Sequence, residues 1–178
     1  MTHAPRLWLV RHASTAWSGV RFCGRSDPPL DDTGRLTAAE VADRLAHEVP
    51  SGASVLSSPL LRARETADPI AAALASDVRI EGSWAEADMG EVDGLTWDQV
   101  VARWPVVSDA LLRGAPVDWP GGERHVDLVA RVRGALELAL ASDAPTVIVT
   151  HGGPLRAVLA ALGRQPAHVV PGEVLRVP

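Results

Sequence analysis

The sequence predicts a three-layer α/β/α sandwich on a mostly parallel sheet, and three observations predict it. Short apolar runs alternate with amphipathic stretches of ten residues or more, the rhythm of βαβ units. Runs such as "RLWLV" and "TVIVT" are apolar at successive positions, as strands covered on both faces must be. Polar, chemically active residues follow several of these runs directly, where the strand ends of an open parallel sheet place a ligand.

The elements follow in order. "RLWLV" at 6–10 reads as the first strand, bounded by Pro5 and Arg11, and a turn-rich stretch over 19–34 separates it from an alanine-rich helix over 33–47 that stops before Pro50. "SVLSS" at 54–58 is a second strand. Pro59 is expected to open the next helix and Pro69 to break or kink it. "DVRI" at 77–80 is a third strand. From Val126 onward, Val129, Val132, Leu136 and Leu140 recur on one helical face, and "TVIVT" at 146–150 is the fourth strand. A helix over 154–163 ends at a glycine, and "EVLRV" adds an edge strand. Residues 84–122 leave this rhythm. They hold four of the six tryptophans and read as a small lobe over one sheet edge.

Composition bounds the function. The chain has 178 residues, the size of one domain, and residues 1–178 are expected to form a single one. The formal charge is −5, all 17 cations are arginine and none forms a basic run, which argues against a nucleic-acid surface. No apolar stretch approaches the roughly 18 residues of a membrane span, and the N-terminus lacks a secretory pattern, so a cytoplasmic address is expected. One cysteine, Cys23, fits a reducing compartment. No Cys/His spacing suits a metal, and nothing calls for an organic cofactor. Without heptads or an assignable apolar stripe, the sequence leaves the oligomeric state open.

The strand ends carry the chemistry. The first strand stops at Arg11 and His12, the second leads through "SSPLLR" to Arg62, and the fourth runs into "HGG" at His151. If these strands are neighbours, two imidazoles and two guanidiniums share a pocket. A planar fork of donors suits phosphate oxygens, and a helix start near Pro154 would add to the attraction for anions. Taken singly, a strand-end histidine is more often structural and an arginine more often a surface cation; the joint pattern points to phosphate. Metal binding by the histidine pair lacks an accompanying carboxylate or thiol, and serine hydrolysis lacks a G-x-S-x-G elbow.

Four stretches in this order, "LWLVRHAST", "SSPLLRARETA", "WAEADMGEVDGLTWDQV" and "VIVTHGG", resemble the histidine phosphatase superfamily, also called phosphoglycerate mutase-like, and span nearly the whole chain. The family's Arg-His-Gly is here Arg-His-Ala, with Ala13 in place of glycine, and Ser18 stands where a phosphate-holding asparagine is usual, shortening or removing that contact. The resemblance implies that His12 attacks phosphorus and forms a phosphohistidine, with Arg11, Arg62 and His151 holding the equatorial oxygens. Surrounding cations are expected to depress the His12 pKa and keep it neutral. Glu86, in "AEADMG", would protonate the leaving alcohol and then deprotonate water; read without the family motif, it is as readily a solvated charge beside Asp88 and Glu91. Ser18, Cys23, Gly24 and Gly152 are further expected phosphate or substrate contacts.

The implied partner is a small-molecule phosphate monoester. "RFCGRSDPPLDDTG" resembles the CG-x-x-D-x-P-L segment of α-ribazole phosphatases, which act late in cobalamin assembly, and "WPGGERHVDLVARV" resembles their P-G-G-E loop, although Arg124 stands where Ser or Thr is frequent. A broad-specificity sugar or glycerate phosphatase, a phosphoprotein phosphatase and a binding-only module remain as alternatives. Retention of both His12 and Glu86 favours an enzyme. Trp84, Trp97, Trp104 and Trp119 are expected mostly to pack the lobe, with an aromatic substrate wall as the other option.

Overall fold

The computed structural model describes residues 6–164 and 168–177. Five strands form one sheet in the order β3-β2-β4-β1-β5. Here β1 is Leu7–Arg11, β2 Ser54–Ser57, β3 Val78–Ile80, β4 Thr146–Thr150 and β5 Val174–Val177. The first four are mutually parallel, and β5 runs antiparallel along the outer side of β1. The expected mostly parallel sandwich is therefore the fold.

Each central strand feeds two cores, and β1 displays the alternation. Trp8 and Val10 point to one side, packing with Val41 and Leu45 of α1 (Asp32–Glu48) and Ala67 and Ile70 of α2 (Leu61–Ala73). Leu7 and Leu9 point to the other, against Leu128 and Val132 of α5 (His125–Leu140) and Leu155 and Val158 of α6 (Gly152–Ala161). A residue period of two with apolar side chains at both phases is what produced the continuous apolar run. Each such large side chain contributes roughly 1.5–3 kcal/mol on burial. No helix among the described residues is long and apolar enough to cross a membrane.

Some boundaries differ from expectation for local reasons. Pro59 does not open a helix: α2 starts at Leu61, after a turn in which the Leu60 N–H donates to Ser58 Oγ and the Leu61 N–H to Asp27 Oδ1. Nor does Pro69 end it. The helix runs on to Ala73 because Ile70 and Ala71 are buried against the sheet and α1, so packing outweighs the lost backbone bond. Helix α6 begins at Gly152, two residues before Pro154, directly on the end of β4.

The stretch 84–122 does form a lobe. It contains a 3-10 turn at Gly90–Val92, α3 (Trp97–Arg103), α4 (Pro105–Leu112) and its own small core of Met89, Val92, Val100, Val107 and Val117. The lobe is joined to itself by a backbone crossing: a Cβ on Gly122 would lie 2.3 Å from the Asp88 carbonyl oxygen, and one on Gly90 would lie 2.2 Å from that of Pro120. Gly122 of "PGGE" is thus required by this close approach of two segments of the chain.

Candidate active site

Parallel pairing of β1 with β4 places Arg11 opposite Thr150, so the residues that follow, His12 and His151, leave the sheet side by side. The His12 N–H still donates to the Thr150 carbonyl at 2.8 Å, and the two imidazole centroids are 4.9 Å apart with planes tilted by 54°. His12 donates from Nδ1 to the Ala13 carbonyl at 2.7 Å, which leaves the lone pair on Nε2. That nitrogen accepts from Nε of Arg62 at 3.2 Å.

Arg62 is wholly buried in the first turn of α2. Its remaining donors go to carbonyls of the 23–26 loop, Nη1 to Ser26 and Nη2 to Gly24 and Cys23. Carbonyls fix the fork in place without neutralising it. Thr66, one helical turn further on, donates to the Arg62 carbonyl and accepts the Ala13 N–H, tying the His12 loop to the same helix.

Arg11 closes the other side. Its Nη1 donates to the Val169 carbonyl, its buried Nε has no protein partner among the described residues, and burial pulls its pKa down while Glu86 pulls it back up. Burial, then the Arg62 charge, lowers the His12 pKa to about 3, so the imidazole is neutral at ordinary pH. The expected direction is correct, but burial is the larger cause. His151, also fully buried, has its pKa lowered well below the usual value by burial and by His12 and Arg62.

Glu86 is no solvated charge: it is buried to 6% exposure, and its carboxylate accepts the N–H groups of Gly153, in the first turn of α6, and of Ala87. A Cβ at 153 would meet Glu86 Oε1 at 2.2 Å, so the second glycine of "HGG" is what admits the carboxylate. The segment carrying Glu86 is clamped by Arg131, which donates to the carbonyls of Ser83, Ala85 and Glu86 while paired with Glu123 at 2.6 Å. The Glu of "PGGE" therefore acts on the fold around Glu86.

These groups border a cleft of about 230 Å³. Arg11, His12, Ser18, Cys23, Glu86 and Gly152 line it; Arg62 and His151, expected at the phosphate, are fully buried and adjoin it through His12, to whose Nε2 Arg62 donates and against whose ring His151 packs. Ser18 Oγ accepts the Thr15 N–H, and burial pushes the Cys23 thiol up to about 11, an unreactive thiol. Gly24 does not line the cleft, contrary to expectation. Its N–H goes to Asp93, its carbonyl to Arg62, and Ala87 and Met89 crowd the place of a side chain.

Of the four lobe tryptophans only Trp119 reaches the cleft; Trp84 is core, Trp104 packs in the lobe and Trp97 stacks on Phe22. Sequence reasoning missed the lining residues Thr15, Trp17, Arg21, Phe22 and Arg156, which sit in turns or one helical turn past a motif and carry no local signal. It also passed over Ser58, although "SSPLLR" contains it. Its Oγ lies 2.7 Å from His151 Nε2. No cluster of three or more metal-ligating side chains occurs among the described residues.

Two neutral imidazoles beside two guanidiniums and a carboxylate are equipped to bind a tetrahedral anion and exchange its substituent. The sequence profile of the Histidine phosphatase superfamily (branch 1) matches residues 7–172. The chain belongs to that superfamily. Among its relatives, a bifunctional protein of Mycobacterium tuberculosis is 36% identical over 157 residues, which cover 86% of this chain but only 43% of the relative. The chain thus spans less than half of that protein. The glucosyl-3-phosphoglycerate phosphatase of the same organism is 33% identical over 174 residues, covering 92% of this chain and 77% of the relative. The solved mycobacterial glucosyl-3-phosphoglycerate phosphatase in complex with VO3 superposes with a TM-score of 0.88 at 29% identity, covering 98% of this chain and 91% of that one. Its fold supports the phosphoglycerate mutase-like architecture that the histidine phosphatase motifs implied.

Proposed function

We propose that the chain hydrolyses phosphate monoesters through a phosphohistidine on Nε2 of His12. The observation that carries this reading is the buried, neutral His12, whose tautomer is fixed by the Ala13 carbonyl so that Nε2 is the nucleophilic nitrogen. The phosphoryl group takes the place of the Arg62 N–H at that lone pair. Arg62, Arg11 and His151 then face its equatorial oxygens, stabilising the charge spread over them.

In the first step the Nε2–P bond forms and the ester P–O bond breaks, with the proton of Glu86 passing to the departing oxygen. In the second, water adds to phosphorus, its proton returns to Glu86, and the P–N bond breaks to release inorganic phosphate and neutral His12. Incubation with a 32P-labelled aryl phosphate is expected to give acid-labile label on the wild-type protein, and none on His12→Ala, with turnover unchanged by chelator. Acid-stable label, or turnover retained by the variant, rejects the mechanism. Neither label nor turnover would mark a binding-only descendant.

The substrate is read from the cleft walls. Trp17, Phe22 and Trp119 line it, which supports a leaving group with a flat apolar part, as in α-ribazole 5'-phosphate. Arg21 and Arg156 also line it and have no carboxylate within ion-pair distance among the described residues, which supports a second reading: an acidic leaving group, as the glucosyl-3-phosphoglycerate phosphatase relatives are named for. Comparing kcat/KM for α-ribazole phosphate, phosphoglycerates, phosphosugars and a phosphopeptide separates these. A hundredfold lead for one class assigns it, and equal values mean a broad-specificity enzyme.

A further inference from the structure

Neutral imidazole has one N–H, and where His151 carries it decides whether the residue can donate to a phosphoryl oxygen. Its Nε2 lies 2.7 Å from Oγ of Ser58, and both residues are fully buried. Ser58 Oγ already accepts the Leu60 N–H at 3.2 Å, and no other partner of this hydroxyl occurs among the described residues. Two assignments are open. If Nε2 held the proton, Ser58 would accept twice, its own hydroxyl hydrogen would have no acceptor, and the Nδ1 lone pair would be bare. If instead the hydroxyl donates to Nε2, both are satisfied and only the Nδ1–H is left without a protein partner; Nδ1 is buried and unpartnered among the described residues. Leaving two buried groups unsatisfied costs more than leaving one.

We infer that Ser58 is a positioning residue: by donating to Nε2 it fixes His151 as the Nδ1–H tautomer and so makes it a hydrogen-bond donor within the site. A neutral imidazole packed 4.9 Å from His12 and near two arginines then offers a hydrogen to the phosphoryl group without adding a charge that would compete for the nucleophile's lone pair. Ser58 gets this place from the chain path. It follows β2 directly, its N–H donates to the Val149 carbonyl of β4, and it thereby sits two residues from His151 across the sheet end. The effect on turnover rests on the phosphatase reading; the location of the proton does not.

The test is imidazole 15N–1H correlation spectroscopy on the full chain at neutral pH, with the His151 resonances assigned by their loss in His151→Gln. The wild type is expected to show a protonated Nδ1 and an unprotonated Nε2. Ser58→Ala should move proton density to Nε2 and lower kcat for an aryl phosphate by about 10- to 100-fold with little change in KM. Ser58→Thr, which keeps the hydroxyl, should restore both. A wild-type proton on Nε2, or an Nδ1–H unaltered by Ser58→Ala, overturns the inference. If the alanine variant does not fold, the wild-type and threonine spectra still decide. A wild type that hydrolyses no ester defeats the phosphatase reading while the spectrum continues to report the proton.

Discussion

Nε of Arg62 donates to Nε2 of His12 at 3.2 Å, so a fixed cation rests on the one lone pair the proposed reaction uses. A lysine at 62 could not reach both that nitrogen and the three carbonyls of the 23–26 loop that hold the fork. Arg62→Lys is expected to lower kcat for p-nitrophenyl phosphate by roughly 10²–10³. Steady-state kinetics check this, and a loss below threefold would mean that the guanidinium only fills space.

The buried imidazoles make stability fall in acid. The unfolded chain takes up a proton on each below the ordinary value of 6.5, whereas native His12 resists until about 3 and native His151 is also shifted well down. Stability contributed by the neutral forms is complete above 6.5 and is lost as pH falls through this window, by about 1.4 kcal/mol per pH unit for each histidine. Urea unfolding at pH 7, 6 and 5 should show the slope, and His12→Asn should remove one histidine's share. An identical slope in the variant would contradict the burial of a neutral ring.

Leaving-group dependence reports on Glu86. Its carboxylate lies on the cleft, held by the Gly153 and Ala87 N–H groups. Glu86→Gln is expected to lower kcat about 10²–10⁴-fold on alkyl phosphates, whose alkoxides need a proton, and far less on p-nitrophenyl phosphate. Equal losses on both esters would remove the acid role.

Two glycines should respond in opposite ways. A Cβ on Gly122 would lie 2.3 Å from the Asp88 carbonyl oxygen, so Gly122→Ala is expected to destabilise by about 1–3 kcal/mol and to lower kcat by shifting the segment that bears Glu86. Gly134, exposed on α5 with open space around its Cβ position, should gain about 0.5–1 kcal/mol as alanine with activity unchanged. Thermal unfolding of both variants decides.

The sheet and the strand-end histidines were legible because burial on both faces writes itself into consecutive apolar residues, and because β1 and β4 stop abruptly at Arg11-His12 and His151. Features set by distant partners were not. Whether Pro69 ends α2 depends on what Ile70 packs against, and whether Gly24 touches substrate or gives way to Met89 depends on a loop some 65 positions away. Ser58 was quoted inside a motif, but its bond to His151 joins residues 93 positions apart. Arg156 and Trp17 reach the cleft only through the curvature of a helix and a turn.

Arg11 is gripped from far along the chain. Its side chain donates to the carbonyl of Val169, 158 residues later, and its backbone N–H to that of Glu173, just before β5. So long a closure is slow relative to local helix formation. During refolding the ability to bind inorganic phosphate should therefore emerge with the last kinetic phase, when the antiparallel edge docks, rather than with the helical signal that precedes it.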